Sequence, residues 1–232
     1  MALYVDLMSQ PSRACSLLCR VAGLPVTENL IRIDKKQHKS PEYLAINPFG
    51  KVPCLQNGAF CLPESGAILR FLCSNYGVPD HWYPKNLADR AKVDAAMDWS
   101  YSQLRIGAAR LGWHRVVAKR RGLPSSKEGA KEALANLNVA LGHMTEIWLK
   151  DSPFMAGAEI SIADLLVLCE LDQLRLLDAA ATGPYMDDLL QPHPLVKDYL
   201  RRVSKELSPH YESVTKALYA SAKAGKDAQS KL

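Results

Sequence analysis

The spacing of apolar residues divides the chain into two parts of different character. Up to Tyr76, short apolar runs alternate with patterns of helical period, and the predicted order of elements is β-α-β-α-β-β-α. Strands are predicted at 3–7, 27–33, 52–55 and 59–62, and helices at 12–22, at 41–47 and from 65 onward. The first two strands are joined by a helix and should be parallel, whereas Asn57-Gly58 is a tight-turn signal that makes the last two antiparallel. The first part is therefore predicted to be a small α/β domain.

The second part shows almost no strand pattern. Helices are predicted at 88–111, at 127–148 after an N-cap at Ser125 or Ser126, from Ser161 onward, and at 194–207, with a loop at 183–192. Ser161 and Asp164 have the spacing of a capping box, and the run 165–169 is apolar all round, which is typical of a buried central helix. We expect a linker at 78–87, an all-helical domain at 88–210 and, because it is small, polar and rich in lysine, a mobile tail at 211–232.

Composition places the chain among ordinary globular proteins. It has 232 residues, of which 48% are hydrophobic and 23% charged, so one or two domains are expected. The net charge is +5, but no basic run with interleaved aromatic residues supports nucleic-acid binding. No apolar stretch approaches the roughly 18–20 residues that cross a bilayer, and no basic region precedes the first apolar residues. Neither a nucleic-acid partner nor a membrane is predicted.

The six cysteines do not suggest disulfides or metal. They show no C-x-x-C spacing, and Cys15 and Cys19 lie four residues apart inside an apolar helical pattern. We interpret all six as small buried hydrophobic residues in a reducing compartment. There is also no zinc spacing of Cys and His and no nucleotide-binding glycine motif. No metal and no resident cofactor are therefore expected.

The chain ends in Ser230-Lys231-Leu232. A terminal S-K-L is an address that the peroxisomal import receptor reads. It predicts a peroxisomal location with that receptor as a partner, and a cytoplasmic pool is the second expectation. The alternative is coincidence in a lysine-rich tail.

Four motifs in order resemble a known family. They are S-Q-P-S-R at 9–13, N-P-F-G-K-V-P at 47–53, Glu64-Ser65-x-Ala67-Ile68, and Asp98-Trp99. Together they resemble the cytosolic glutathione transferases, and S-Q-P-S-R with the linker D-H-W-Y-P is similar to the theta class, in particular its plant members. The resemblance implies a thioredoxin-like domain at 1–77 that binds glutathione as co-substrate, and a helical-bundle domain that supplies a pocket for small hydrophobic electrophiles. It also implies a homodimer.

Ser9 lies in the turn between the first strand and the first helix, over the carboxyl edge of the sheet. A free thiol with a pKa of about 8.5 is only a few per cent ionised at neutral pH, so a group that hydrogen-bonds the sulfur favours the thiolate. By its residues alone, Ser9 or Ser12 could equally be a helix N-cap. The resemblance assigns catalysis to the Ser9 hydroxyl and leaves Ser12 as the cap. A redox-active cysteine is disfavoured because Ser9 holds the place where thioredoxin-like folds put one.

The resemblance also implies a set of glutathione-binding residues: Ser9, Gln10, His38, Lys51, Val52, Pro53, Glu64 and Ser65. A cis Val52-Pro53 bond would let the Val52 backbone pair with the cysteinyl residue, and Glu64 and Ser65 would anchor the γ-glutamyl end. Cationic or donor groups in the loops, including Gln37, would face the glycyl carboxylate. The alternatives are a trans proline, an ordinary helix cap and solvated loop residues. Pro63 departs from the family, which usually has Ser or Thr there.

Arg105 and Tyr101 are predicted to line the electrophile pocket. Arg105 matches an arginine that points into the cleft of theta-class enzymes, and an inter-helix ion pair is its alternative role. Ser100 and Tyr101 stand where the family commonly has two histidines, which leaves the electrophile open. Asp164 is interpreted as a capping residue rather than a catalytic acid.

These residues predict a glutathione transferase in which Ser9 stabilises the thiolate for attack on electrophiles. The peroxisomal address favours organic hydroperoxides as additional substrates, that is, a glutathione peroxidase activity. The alternative is a non-catalytic protein of the same fold that binds glutathione and hydrophobic ligands.

Overall fold

The computed structural model describes the backbone of residues 1–229 and the side chains of residues 1–225. Its N-terminal part is built on one four-stranded mixed sheet of order β2-β1-β3-β4, in which β1 is parallel to β2 and antiparallel to β3. The strands are β1 (Ala2–Val5), β2 (Thr27–Leu30), β3 (Cys54–Asn57) and β4 (Phe60–Pro63). The helices are α1 (Gln10–Val21), α2 (Pro41–Ile46) and α3 (Ser65–Tyr76). The predicted βαβαββα order is confirmed, and this part is a thioredoxin-like domain.

Helix α1 lies between the sheet and the helical part, and its residues 12–19 are all buried. Leu3 and Val5 of β1 and Leu55 of β3 are fully buried in the same apolar core. The core continues without interruption into the second part of the chain. The two parts therefore share one hydrophobic interior, which holds the β1–α1 turn against the helices.

The second part is helical. Its elements are α4 (Leu87–Trp99), α5 (Arg105–Gly112), α6 (Ala118–Arg120), α7 (Lys127–His143), α8 (Ile162–Asp172), α9 (Met186–Leu190), α10 (Pro194–Glu206) and α11 (His210–Gln229). Helices α4, α5 and α6 form one continuous rod joined by π-helical turns at Ser100–Leu104 and Trp113–Val117. The predicted helix at 88–111 thus extends to residue 120. Nowhere in residues 1–229 does a helix combine the length and the apolarity needed to cross a membrane.

Helix α8 is the buried centre that its apolar run predicts, and all of its residues are buried. The Asp164 carboxylate accepts hydrogen bonds from the Ser161 amide at 2.8 Å and the Ser161 hydroxyl at 2.9 Å. It also accepts from the Met155 amide and the Tyr199 hydroxyl. Burial raises the pKa of this carboxyl, against the opposing effect of those hydrogen bonds. Asp164 is therefore a structural capping residue, as its spacing predicts.

Two predictions for the C-terminal region are wrong. The segment 183–192 contains the short helix α9 rather than only a loop, and the supposed mobile tail begins with the 20-residue helix α11. Tyr211, Val214, Leu218 and Ala222 of α11 are buried. Their spacing of three or four residues forms one apolar stripe, and that stripe packs on α1 and on the 3-10 helix at Gln173–Ala179. Lys216 and Lys223, which belong to the lysine-rich composition that suggested a tail, are both exposed.

Candidate active site

One cleft lies between the thioredoxin-like domain and the α4–α5 rod. Its cavity volume is about 170 Å³, and part of the cleft is open to solvent. Its lining residues come from both parts of the chain: Pro11, Asn47, Phe49, Lys51, Val52, Pro53, Pro63, Glu64, Ser65, Tyr101 and Arg105. One wall is formed by segments that connect the strands and helices of the thioredoxin-like domain. The opposite wall is formed by Tyr101 and Arg105 of the helical rod.

The loop before β3 is fixed by hydrogen bonds to its own backbone. The Asn47 amide nitrogen donates to the Lys51 carbonyl at 2.7 Å, and the Tyr43 hydroxyl donates to the same oxygen at 2.6 Å. Gly50 has φ +55°, and a Cβ there would lie 2.8 Å from the His38 carbonyl oxygen, so only glycine fits. The Val52-Pro53 bond that follows is cis. This rigid loop presents Lys51, Val52 and Pro53 to the cleft.

The N-terminus of α3 forms a second side of the cleft. Glu64 is the N-cap residue and has φ +71°, a conformation that costs a non-glycine residue roughly 1–3 kcal/mol. Ser65, the first helical residue, is 4% exposed, and its hydroxyl oxygen lies 2.8 Å from the hydroxyl oxygen of Tyr101. The unpaired amides of a helix N-terminus attract an anion. An anionic group with an adjacent ammonium, which Glu64 can pair, fits this end of the cleft.

Arg105 is held in the cleft by a buried carboxylate. Its guanidinium forms an ion pair and hydrogen bond with Glu170, whose side chain is only 6% exposed and lies on α8. The other carboxylate oxygen of Glu170 accepts from the Gln10 side-chain amide at 3.3 Å. Burial raises the pKa of Glu170, and the positive charges of Arg105 and Arg13 oppose this effect. Arg105 thus lines the cleft and also forms the ion pair between helices that was its alternative role, and its role toward an electrophile stays a prediction.

Comparison with known proteins identifies the family. The model of the glutathione S-transferase N-terminal domain matches residues 3–80, and that of the C-terminal domain matches residues 104–206. Glutathione S-transferase T1 of Arabidopsis thaliana is 40% identical over 220 residues, which are 94% of this chain and 88% of the relative. The chain belongs to the theta class of glutathione transferases.

Other theta-class transferases are similar over different shares of their length. Bovine glutathione S-transferase theta-1 is 40% identical over 170 residues, 73% of this chain and 71% of the relative. Arabidopsis glutathione S-transferase T2 matches 94% of this chain, but the matched part is only 36% of the length of that relative. A crystal structure of human glutathione transferase theta-2, a complex with glutathione and an unknown ligand, matches 98% of this chain and 90% of that chain. Its TM-score is 0.88 and its sequence identity 32%.

The structure brings most of the predicted site residues of this transferase into the one cleft: Lys51, Val52, Pro53, Glu64, Ser65, Tyr101 and Arg105. Ser9 is not among the residues that line it, but Pro11, two positions later, is. Ser9 occupies the N-cap position of α1, and its carbonyl accepts from the Arg13 amide at 3.1 Å. Its side chain makes no capping hydrogen bond with the described part of the helix. The Ser9 hydroxyl is thus not committed to the cap.

Gln10 and His38 also lie outside the cleft lining. The Gln10 side chain contacts Glu170, as described above. The Nδ1 atom of His38 is buried and has no hydrogen-bond partner in the described part of the chain. Burial lowers the pKa of His38, and the nearby charges of Lys39 and Arg121 lower it further. A neutral His38 is therefore expected at neutral pH, so it offers a hydrogen bond rather than a charge.

The prediction that Ser12 caps α1 is wrong. Ser12 is fully buried within the first turn of the helix, and its hydroxyl accepts a hydrogen bond from the Asp6 amide at 3.3 Å. It thus closes the β1–α1 turn from inside. Proline at the second position of α1 is compatible with a helix that begins at Gln10, two residues earlier than the apolar period indicates.

Sequence reasoning missed several residues that line the cleft or hold its lining in place. Asn47 and Phe49 belong to a motif that was recognised, but no role was given to them. Glu170 had a clear signal, because a carboxylate directly after the apolar run at 165–169 must be paired if the helix is buried. Its partners, Arg105 and Gln10, are 65 and 160 residues away in sequence, so only the fold reveals them.

Proposed function

We propose that this theta-class chain is an active glutathione transferase in which the Ser9 hydroxyl stabilises the glutathione thiolate. The observation that carries the proposal is the cleft itself, in which a helix N-terminus, a rigid cis-proline loop and Arg105 meet. The match to human theta-2, whose structure is a complex with glutathione, supports glutathione as the ligand.

In this proposal glutathione lies along the cleft in an extended conformation. Its γ-glutamyl carboxylate faces the α3 N-terminus, its ammonium faces Glu64, and its cysteinyl backbone pairs with the Val52 backbone. The glycyl carboxylate then lies toward Lys51 and the loop that carries His38. The sulfur reaches the β1–α1 turn, where the Ser9 hydroxyl donates a hydrogen bond to it.

The chemistry needs the sulfur to be anionic near neutral pH. The thiol proton passes to water, and a pKa lowered by about two units corresponds to roughly 2.7 kcal/mol of preference for the thiolate. The thiolate then forms a bond to an electrophilic carbon while the leaving group departs with the bonding electrons. Arg105, across the cleft, offers a positive charge to that leaving group. In this scheme glutathione is a co-substrate, and no cofactor takes part.

Reduction of organic hydroperoxides is the second activity that we propose, and it rests on the further proposal that Ser230-Lys231-Leu232 acts as a peroxisomal address. The thiolate attacks the terminal peroxide oxygen, the O–O bond breaks, and the alkoxide takes a proton to leave as an alcohol. The resulting glutathione sulfenic acid reacts with a second glutathione to give the disulfide and water. Ser230-Lys231-Leu232 lie outside the described residues. Peroxisomal import of a fluorescent fusion, and its loss on deletion of Leu232, test the address.

Replacing Ser9 by alanine tests the proposed mechanism. We expect Ser9→Ala to lower turnover about 100-fold, the effect of removing one donor from a developing anion, while glutathione still binds. The thiolate absorbance of bound glutathione should titrate near the pKa of the free thiol in the variant and clearly below it in the wild type. Ser9→Thr, which keeps a hydroxyl, should retain part of the activity.

The assay uses a panel of alkyl halides, aryl halides, cumene hydroperoxide and fatty-acid hydroperoxides. The control is Ser102→Ala, which removes an exposed hydroxyl from outside the cleft. Unchanged turnover in Ser9→Ala contradicts the proposed role of the serine. Wild-type protein that binds immobilised glutathione but turns over no substrate of the panel would instead favour the non-catalytic binding protein. We also propose a homodimer, which sedimentation analysis tests directly.

A further inference from the structure

A hydrogen bond between the two domains lies at the γ-glutamyl end of the cleft. The hydroxyl oxygens of Tyr101, in the first π-helical turn of the rod, and Ser65, at the start of α3, are 2.8 Å apart. Both residues line the cleft. The sequence resemblance places Tyr101 in the electrophile pocket, but its hydroxyl contacts the part of the site that would receive glutathione.

The fold makes room for this contact. A Cβ at Gly66 would lie 3.1 Å from the Tyr101 hydroxyl oxygen and 3.3 Å from ring atom Cε2, closer than ordinary van der Waals contact. Gly66 is in α3 and has no left-handed backbone, so its missing side chain serves the close approach of Tyr101. A Cβ at this position would require Tyr101 to move by a few tenths of an ångström, so glycine favours the close approach of Tyr101 to the α3 N-terminus.

The protons of the two hydroxyls determine what the pair can do. Burial raises the pKa of Tyr101 to about 12, so the phenol keeps its proton over the working pH range. If Tyr101 donates to the Ser65 oxygen, the Ser65 proton must point elsewhere, and the cleft is the side that would hold an anion. Two linked hydroxyls then act as one oriented donor, and each bond strengthens the other.

We propose that Tyr101 is a positioning residue for glutathione: its hydroxyl donates to Ser65 and aims the Ser65 hydroxyl at the γ-glutamyl α-carboxylate. The proposal rests on the proposed function, and it assigns Tyr101 to recognition of glutathione instead of the electrophile. Arg105, four residues later on the same rod, remains the residue that faces the reacting groups. A helical-domain side chain thereby contributes to selection of the co-substrate.

The test combines a variant with a ligand analogue. Tyr101→Phe removes one oxygen and keeps the ring that packs on Gly66. The analogue is γ-aminobutyryl-cysteinylglycine, which keeps the ammonium and the thiol but lacks the α-carboxylate. We expect the variant to bind glutathione about tenfold more weakly, because the Ser65 hydroxyl is no longer held in the direction of the charged carboxylate, and to bind the analogue as wild type does. The KM for glutathione should rise while kcat and the thiolate pKa of bound glutathione stay unchanged.

Two further variants keep the test decisive. Tyr76→Phe, at the far end of α3, is the matched control and should bind both ligands normally. Gly66→Ala should displace the Tyr101 ring and reproduce the carboxylate-specific loss with both hydroxyls present. When Gly66→Ala is combined with Tyr101→Phe, glutathione binding should weaken little further, because both changes break the same interaction. The Gly66→Ala result decides the matter if the phenylalanine variant fails to fold.

The outcomes separate this proposal from the proposed function. Equal weakening of glutathione and the analogue, or no weakening of either, overturns the role of Tyr101 and leaves the transferase proposal standing. A fall in kcat without a change in KM also overturns it, because it would place Tyr101 with the reacting groups. Wild-type protein that binds no glutathione overturns both proposals together.

Discussion

At the scale of single residues, burial decides which side chains of this protein can react. Cys15, Cys19, Cys54, Cys73 and Cys169 are buried, whereas Cys61 on strand β4 is partly accessible. Burial raises the pKa of Cys54 to about 11 and that of Cys19, Cys73 and Cys169 to about 12, and it raises that of Cys15 as well. The thiolate is the nucleophilic form of a thiol, so these buried cysteines are far less reactive than a thiol that ionises near neutral pH.

Thiol labelling checks this directly. In native protein at pH 8, a disulfide reagent such as 5,5′-dithiobis(2-nitrobenzoate) should react promptly with Cys61 alone, because the other five cysteines are buried. All six cysteines should react after denaturation. Cys61→Ser should abolish the fast phase. A fast phase that survives this substitution would show that a second cysteine is accessible in the folded state.

At the scale of elements, helix α11 shows how much a local pattern depends on its partner. Its buried stripe covers α1 and the 3-10 helix that follows α8. Two tyrosine hydroxyls on it, those of Tyr211 and Tyr219, reach the buried carboxylate of Asp172 at 2.7 and 3.3 Å. The Arg175 guanidinium lies 4.6 Å above the Tyr219 ring. The helix is therefore an integral part of the fold and not an appendage.

Truncating the central residue of this stripe measures its contribution. Leu218 is fully buried, so we expect Leu218→Ala to lower the free energy of unfolding by about 2–5 kcal/mol through lost burial and a cavity. Lys216→Ala, two positions earlier on the exposed face, should change it by less than about 0.5 kcal/mol. Equilibrium denaturation in urea gives both values. Equal small losses would mean that α11 is not docked in solution.

At the scale of the whole molecule, the cleft exists only because the two domains are joined around it. Arg13 is fully buried, and its guanidinium donates to the carbonyls of Leu7 at 2.9 Å and Cys169 at 3.1 Å. It thus fixes the β1–α1 turn, which carries Ser9, to the end of α8. Glu170 on that same helix end holds Arg105. The β1–α1 turn and Arg105 are therefore positioned by one buried junction.

The pH dependence of stability tests this junction. Burial raises the pKa of Glu170 above its value in the unfolded chain, so ionisation of Glu170 weighs against folding as the pH rises through the raised value. Glu170→Gln cannot ionise. We therefore expect its stability relative to wild type to improve between pH 4.5 and pH 7.5, while its turnover falls because Arg105 loses its anchor.

Denaturation at the two pH values, with turnover at pH 7.5, provides the measurement. Glu132→Gln is the control, because Glu132 is exposed and pairs with Arg110 at the surface, so its turnover should equal that of wild type. If the stability of Glu170→Gln relative to wild type instead falls between pH 4.5 and pH 7.5, the attraction of Arg105 for the Glu170 carboxylate outweighs the cost of burying its charge. Unchanged turnover in Glu170→Gln would show that Arg105 does not need this partner.

The sequence alone determined the order of the elements in the thioredoxin-like domain, the strand directions and the residues of the α3 and β3 ends of the cleft. These features depend on neighbours in the chain, such as apolar period, the Asn57-Gly58 turn, prolines and caps, and such local preferences survive into the folded state. The motifs that resemble the transferase family were sufficient to place Lys51, Val52, Pro53, Glu64 and Ser65 together.

Only the tertiary structure decided the rest. Whether Ser12 caps a helix or closes a turn, whether the Tyr101 hydroxyl contacts Ser65, and whether residues 211–229 are a tail or a helix all depend on distant surfaces. A pattern within one segment shows which face is apolar, but not what that face covers. Contacts such as Gln10 with Glu170 cross 160 residues of chain, so they arise from packing of the two domains and carry no local signal.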